Sequence, residues 1–147
     1  MPEVMAGGCA CGRIRYAADV DTDDAYLCHC RMCQRASGGV SIPFKNLPKN
    51  AVRWEREPDY YASSPIARRG YCRECGTSLS FEFPDSENVD VTIGSFDEPG
   101  RFRPKHPFGA ESMHRPWLNT EGLPEYRTSD FQPLVDRWTK AIGKFPD

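Results

Sequence analysis

Seven cysteines in three tight clusters constrain this chain of 147 residues more than any other feature. Cys9-Ala10-Cys11 and Cys72-Arg73-Glu74-Cys75 are two short pairs far apart in sequence. Between them, Cys28-His29-Cys30-Arg31-Met32-Cys33 packs three thiols into six residues. Residues 1–8 carry neither a basic segment nor a long apolar stretch, so no export signal is read there and the expected location is cytoplasmic. In a reducing compartment, close thiol pairs point to metal or redox chemistry rather than to disulfides. A disulfide framework would also leave one thiol of the seven unpaired.

Zinc favours tetrahedral sulfur coordination, and its structural sites are usually assembled from two ligand pairs on distant turns. Cys9 with Cys11 and Cys72 with Cys75 fit that pattern, with glycines beside both pairs to let the backbone turn sharply. Four thiolates saturate the ion and couple its binding to folding. Cys28, Cys30 and Cys33 then form a three-thiolate site. Either it keeps the open fourth position of a catalytic centre, or His29, His106 or His114 closes it. Iron–sulfur ligation fits less well, because the spacing matches neither ferredoxin run closely. A redox reading of Cys72 to Cys75 lacks the surrounding βαβ pattern.

Charge decides what an open three-thiolate site would suit. Three thiolates on a divalent ion leave a net charge of minus one, so bound water is activated less than by three neutral histidines. A soft centre of this kind is better matched to a thiol substrate. Arg31 and Arg35, four residues apart on a short helical turn over 31–36, are placed to offset that charge or to hold substrate carboxylates.

The rest of the chain reads as mostly β, one domain over 1–147. Alternation marks strands at 13–17, 40–44, 52–54 and 60–61. The clearest hairpin joins 78–83 to 89–93 across Pro84-Asp85. Residues 97–122, with prolines at 99, 104, 107 and 116, read as irregular segments. Pro133 to Ile142 reads as a short amphipathic helix, with Pro133 in its first turn and Gly143 as a stop. No run approaches the roughly 18 apolar residues of a membrane span, and a net charge of −2 gives no argument for nucleic acid. Arg53, Arg56, Arg68, Arg69 and Arg73, and later Arg101, Arg103, Lys105 and His106, read either as solvated strand faces or as an anion site for a carboxylate-bearing small molecule.

In order along the chain, the motifs are Gly8-Cys9-x-Cys11-Gly12, Cys28-His29-Cys30-x-x-Cys33 with Ser37-Gly38, and Cys72-x-x-Cys75-Gly76. They are followed by Gly94-Ser95-Phe96-Asp97, Pro104-x-His106, Trp117-Leu118 and Gly122-Leu123-Pro124. Together these resemble, over roughly residues 5 to 127, the glutathione-dependent formaldehyde-activating enzyme family. That family includes the S-(hydroxymethyl)glutathione synthases and shares its domain with centromere protein V. The resemblance implies a β-tent fold of zinc-stapled antiparallel sheets, here with the helical tail of 128–147. It implies a structural zinc on Cys9, Cys11, Cys72 and Cys75, and a second zinc on Cys28, Cys30 and Cys33. The implied activity is that of a carbon–sulfur lyase joining glutathione to formaldehyde, with Cys28, Cys30 and Cys33 at the catalytic centre. Arg31, Arg35 and His106 are the candidate substrate-binding residues. Gln34-Arg35-Ala36 stands where some members carry threonine or serine after the third cysteine. The alternatives are the same chemistry on another thiol or aldehyde, and a non-catalytic, zinc-stapled binding module or adduct carrier.

Overall fold

Antiparallel alternation around the first cysteine pair sets up the smaller of two sheets. In the computed structural model, which describes residues 2–146, β1 (Glu3–Gly8) and β2 (Arg15–Val20) pair from Glu3↔Val20 to Gly8↔Arg15. Cys9 and Cys11 lie in the turn between them. The chain divides into two compact units, Met1–His114 and Arg115–Asp147.

In the first unit, β3 (Asp24–Cys28) delivers the chain to the central cysteine run, and α1 (Arg31–Ser37) follows. The Cys30 backbone is extended and its Sγ accepts the Cys33 N–H, an N-cap in the position usually taken by serine or aspartate. Next come β4 (Ile42–Pro48), β5 (Val52–Trp54), β6 (Asp59–Ser64), β7 (Ala67–Tyr71), β8 (Ser78–Glu82), β9 (Asn88–Thr92) and β10 (Arg103–Phe108). The order β1-β2-β5 makes a three-stranded sheet, and β10-β3-β4-β9-β8-β7-β6 makes a seven-stranded one. The expected hairpin is β8–β9. All pairings are antiparallel except β10 with β3.

β10 corrects the reading of 97–122 as irregular throughout. Pro104 and Pro107 sit in an edge strand with one neighbour, where a missing N–H is tolerated, and the register slips between Pro104 and His106.

Alternation gives the large sheet two faces with different uses. Ala25, Leu47, Val89 and Val91 join Met5, Tyr16, Ala18, Val20 and Val52 of the small sheet in one buried core. Tyr16 anchors it, packing edge-on against Trp54 at 4.9 Å and Phe96 at 5.4 Å while its hydroxyl meets Ser95 Oγ at 2.8 Å. The intervening residues therefore point to the opposite face. Cross-strand pairs align Asn46↔Asp90, Asp90↔Phe81 and Phe81↔Arg69 in one row, with His106↔Tyr26 and Tyr26↔Phe44 in the next.

Glu82 ends β8 with its side chain only 5% exposed, held by Arg68 Nε at 2.7 Å and Lys49 Nζ at 3.0 Å. Removing one partner of such a pair leaves charge without compensation. Glu82→Gln should lower the unfolding free energy by about 1–3 kcal/mol, read from urea denaturation of the full chain.

The second unit is built from short turns and α2 (Gln132–Ile142), close to the Pro133–Ile142 expected. Pro133 lies in its first turn, and Gly143 closes it with an N–H to Thr139 O at 2.8 Å. Among the described residues no helix is long and apolar enough to cross a membrane.

Candidate metal centres and cavity

The two cysteine pairs meet because each ends a hairpin turn. Gly76, at φ +78°, turns the chain after Cys75 and returns its N–H to Cys72 O at 2.7 Å, a conformation costly for any residue with a side chain. The Cys9, Cys11, Cys72 and Cys75 sulfurs all lie within 4.8 Å of one another, as do those of Cys28, Cys30 and Cys33. The seven thiols thus divide as their spacing predicts, and all are free.

Neighbouring sulfurs are 3.6 Å apart for Cys9–Cys11, 3.8 Å for Cys11–Cys72 and 3.6 Å for Cys28–Cys30. A disulfide needs about 2.05 Å. Thiolates about 2.3 Å from a tetrahedral zinc stand roughly 3.8 Å apart, so both clusters fit such an ion. Both could hold a metal ion.

Backbone and arginine donors complete each cluster, as the outer shell of a metal site requires. In the first, Ile14 N donates to Cys9 Sγ at 3.2 Å. Arg13 Nη1 reaches Cys72 Sγ at 3.8 Å while paired to Asp59 at 2.8 Å. In the second, Arg69 Nη2 reaches Cys33 Sγ at 3.4 Å. The Cys33 thiol is pushed down to about 5, first by the hydrogen bond from Cys28 and then by Arg69, against the cost of burial. Cys28 is pushed up correspondingly, because neighbouring thiolates disfavour one another.

The last strand fixes the three-thiol run in place. Cys28 pairs with Phe108, His29 N donates to Phe108 O at 2.8 Å, and Gly109 follows in left-handed backbone at φ +67°. A Cβ on Gly109 would lie 2.8 Å from Cys30 N, so this approach also requires glycine. Gln34 has a structural task. Its Nε2 donates to His29 O at 2.7 Å and to Ser112 O at 3.0 Å, tying α1 to the segment after β10.

A cavity of about 500 Å³ opens on the outer face of the large sheet, and Cys28, Cys30 and Cys33 are part of its wall. Around them stand Tyr26, Phe44, Phe81 and Phe108, with Asn46, Arg69, Asp90 and His106 as polar members. The four cysteines of the first cluster do not line it. His106 reaches it, stacked on Tyr26 at 5.5 Å. Arg31 and Arg35 are exposed on α1 outside its wall, and Arg31 is bonded to Gln34 Oε1. His29 is buried with both ring nitrogens unpartnered, and among the described residues no histidine joins the sulfurs of either cluster.

Arg69 and Asp90 are the site residues that periodicity alone does not single out. Other arginines of the basic clusters pair with carboxylates: Arg53 with Asp19 and Arg101 with Glu3 and Glu98 in exposed pairs, and Arg68 with the buried Glu82. Arg69 differs. It is 3% exposed, its Nε has no partner, and its guanidinium lies 4.8 Å from the Phe81 ring centre. The signal in the sequence is the Arg68-Arg69 dipeptide within a strand, since adjacent residues face opposite ways.

The family model for the glutathione-dependent formaldehyde-activating enzyme matches residues 4–111. The chain belongs to this family. An uncharacterized lyase of Schizosaccharomyces pombe is 32% identical over 88 residues, which span 60% of this chain and 64% of that protein. A crystal structure of a Rhodobacter sphaeroides protein shares the fold, with a TM-score of 0.56 and 20% identity. The match covers 71% of this chain and 99% of that one. The family thus accounts for most of the first unit, including all seven thiols.

Proposed function

We propose that this chain is a zinc-dependent carbon–sulfur lyase that joins a thiol to an aldehyde and reverses the reaction, the family's named pair being glutathione and formaldehyde. One observation carries this reading: the three-thiol cluster lines a cavity and the four-thiol cluster does not. Cys9, Cys11, Cys72 and Cys75 would hold a structural zinc, and Cys28, Cys30 and Cys33 a second one. The second ion would supply a soft Lewis acid that favours a thiolate at its open position. The balance is simple. A sulfur–carbon bond forms, the carbonyl π bond opens, and one proton passes from sulfur to oxygen.

The chain's own groups would do the rest. Arg69 beside Cys33 would offset the one negative charge that three thiolates leave on a divalent ion. The aromatic side chains make the wall around the three thiols largely apolar. Asp90 is the group suited to carry the proton. Burial pushes its carboxyl up, against hydrogen bonds from Asn46 and Tyr26. Asn46 Nδ2 donates to Asp90 Oδ1 at 2.9 Å. Arg69 and His106 are the cationic or titratable neighbours lining the same cavity.

Exchange NMR of glutathione with formaldehyde tests the activity, with acceleration expected from the fully metallated chain and none from buffer. No acceleration would remove the glutathione–formaldehyde pair. Asp90→Asn keeps the Asn46 bond and should slow exchange about 100-fold. Its stability should move the other way. A raised carboxyl keeps its proton in the folded state to higher pH than in the unfolded state, so stability falls as pH rises through that window. Removing the group abolishes this cost. The variant should therefore melt at or above the wild-type temperature at neutral pH while losing activity.

A further inference from the structure

We infer that the adduct handled at this site carries an uncharged apolar group of aromatic-ring size on its carbon–sulfur centre. This rests on the carbon–sulfur reading above and narrows the substrate class within it. The cavity is about 500 Å³. A one-carbon aldehyde takes up little more room than a water molecule, whose share of liquid volume is about 30 Å³. Cavities of the size found here are those that enclose whole organic ligands.

The wall chemistry points the same way. His106, Tyr26, Phe44, Phe81 and Phe83 form a continuous aromatic run, with successive ring centres 5.5, 5.8, 6.4 and 5.3 Å apart. These spacings are those at which rings stack or meet edge to face, so a guest ring can extend the run by the same contacts. The run has a structural origin: His106, Tyr26, Phe44 and Phe81 are residues of β10, β3, β4 and β8, and Phe83 directly follows β8. It extends directly to the cysteines, because Cys28 and Tyr26 are alternate residues of β3 and Phe108 pairs with Cys28.

Charge argues against a densely ionised guest. The wall holds one permanent cation, Arg69, and that guanidinium already serves Cys33. Asp90, on the same wall, adds no positive charge to receive a carboxylate. The two carboxylates of a glutathione-like tripeptide thus find no pair of free cations here, and its peptide ends would lie outside. Room for an extended substituent continues past Ile66 and Phe83. Both are shared with a neighbouring cavity of about 720 Å³ along the β6–β7 hairpin.

The apolar group can enter with the aldehyde or with the thiol, and stable thioethers separate the two. Calorimetry on the fully metallated chain with S-methylglutathione, S-benzylglutathione and benzyl methyl sulfide reads binding without turnover. S-benzylglutathione is expected to bind at least ~10-fold more tightly than S-methylglutathione, from burial of one ring. If benzyl methyl sulfide binds as tightly as S-benzylglutathione, the glutathionyl part adds nothing and the apolar group belongs to the thiol. If it binds at least ~10-fold more weakly, the group belongs to the aldehyde. Phe81→Ala and Phe108→Ala, each checked for a cooperative melt, should both bring the benzyl-to-methyl ratio toward one. Methyl and benzyl thioethers bound within about twofold of each other, with glutathione–formaldehyde exchange still accelerated, would overturn the apolar assignment and leave the activity standing. A benzyl preference without acceleration of any thiol–aldehyde pair, benzaldehyde and benzyl mercaptan included, would retain the cavity assignment and sink the activity.

Discussion

Cys72→Ser should abolish the cooperative unfolding transition of the Met1–His114 unit and release bound metal. Cys72 is fully buried with Cys9, Ile14 and Leu79, where the turn before β2 meets the turn between β7 and β8. Serine is close to cysteine in shape, so the effect is not one of packing volume. It comes from the ligand set. Structural zinc in small domains contributes an apparent ~10–16 kcal/mol to folding, while whole domains are stable by only ~5–15 kcal/mol. For the zinc proposed on Cys9, Cys11, Cys72 and Cys75, losing one of four ligands forfeits much of that term. It also leaves a hydroxyl against Arg13, whose Nη1 lies 3.8 Å from the native sulfur. Circular dichroism on heating and metal content by mass spectrometry check this. A wild-type melt from a variant retaining one ion would show that the first cluster does not hold the fold.

The partition of the thiols was legible because ligand spacing is a local property. One residue or two between sulfurs, with glycine beside the outer pairs, predict a chelating turn wherever the chain later goes. The β8–β9 hairpin and α2 were legible for the same reason: each shows its period and its stops within a dozen residues. β1 and β10 were not. β1 ends in two glycines, β10 contains two prolines, and both lie at sheet edges where pairing to a single neighbour overrides poor local propensity. Periodicity also tells which residues share a face without telling which face is covered. Asp90 and Val91 are adjacent in β9, and only the small sheet's position makes Val91 core and Asp90 cavity wall. Leu79 and Phe81 show the limit in another form. They alternate as expected, yet Leu79 packs with Cys9 and Cys72 while Phe81 packs with Cys28 and Cys33. Compensation of the three-thiol charge, read from the sequence as a task for Arg31 and Arg35, has a nearer candidate in Arg69, whose distance to Cys33 depends on register across strands.

Cys30→Ser should leave the fold nearly unchanged and remove the carbon–sulfur activity. The two effects separate because the cap that Cys30 makes and the ligand role proposed for it differ in chemistry. Its sulfur caps α1 by accepting the Cys33 N–H at 3.3 Å, and a serine hydroxyl is among the best acceptors for that position. The expected stability cost is therefore about 1 kcal/mol or less. As a ligand the exchange fails, since a neutral hydroxyl does not replace a thiolate on a soft ion. Lewis-acid stabilisation is worth several kcal/mol, so exchange should slow about a thousand-fold or more. Metal content should fall from two ions to one. A melting temperature lowered as far as in Cys72→Ser would mark the second cluster as structural, the signature of a binding module. Full activity with one ion bound would place the chemistry elsewhere in the cavity. The predicted combination, one ion lost with the fold kept and the activity gone, follows only if the three-thiol cluster holds its ion for the substrate.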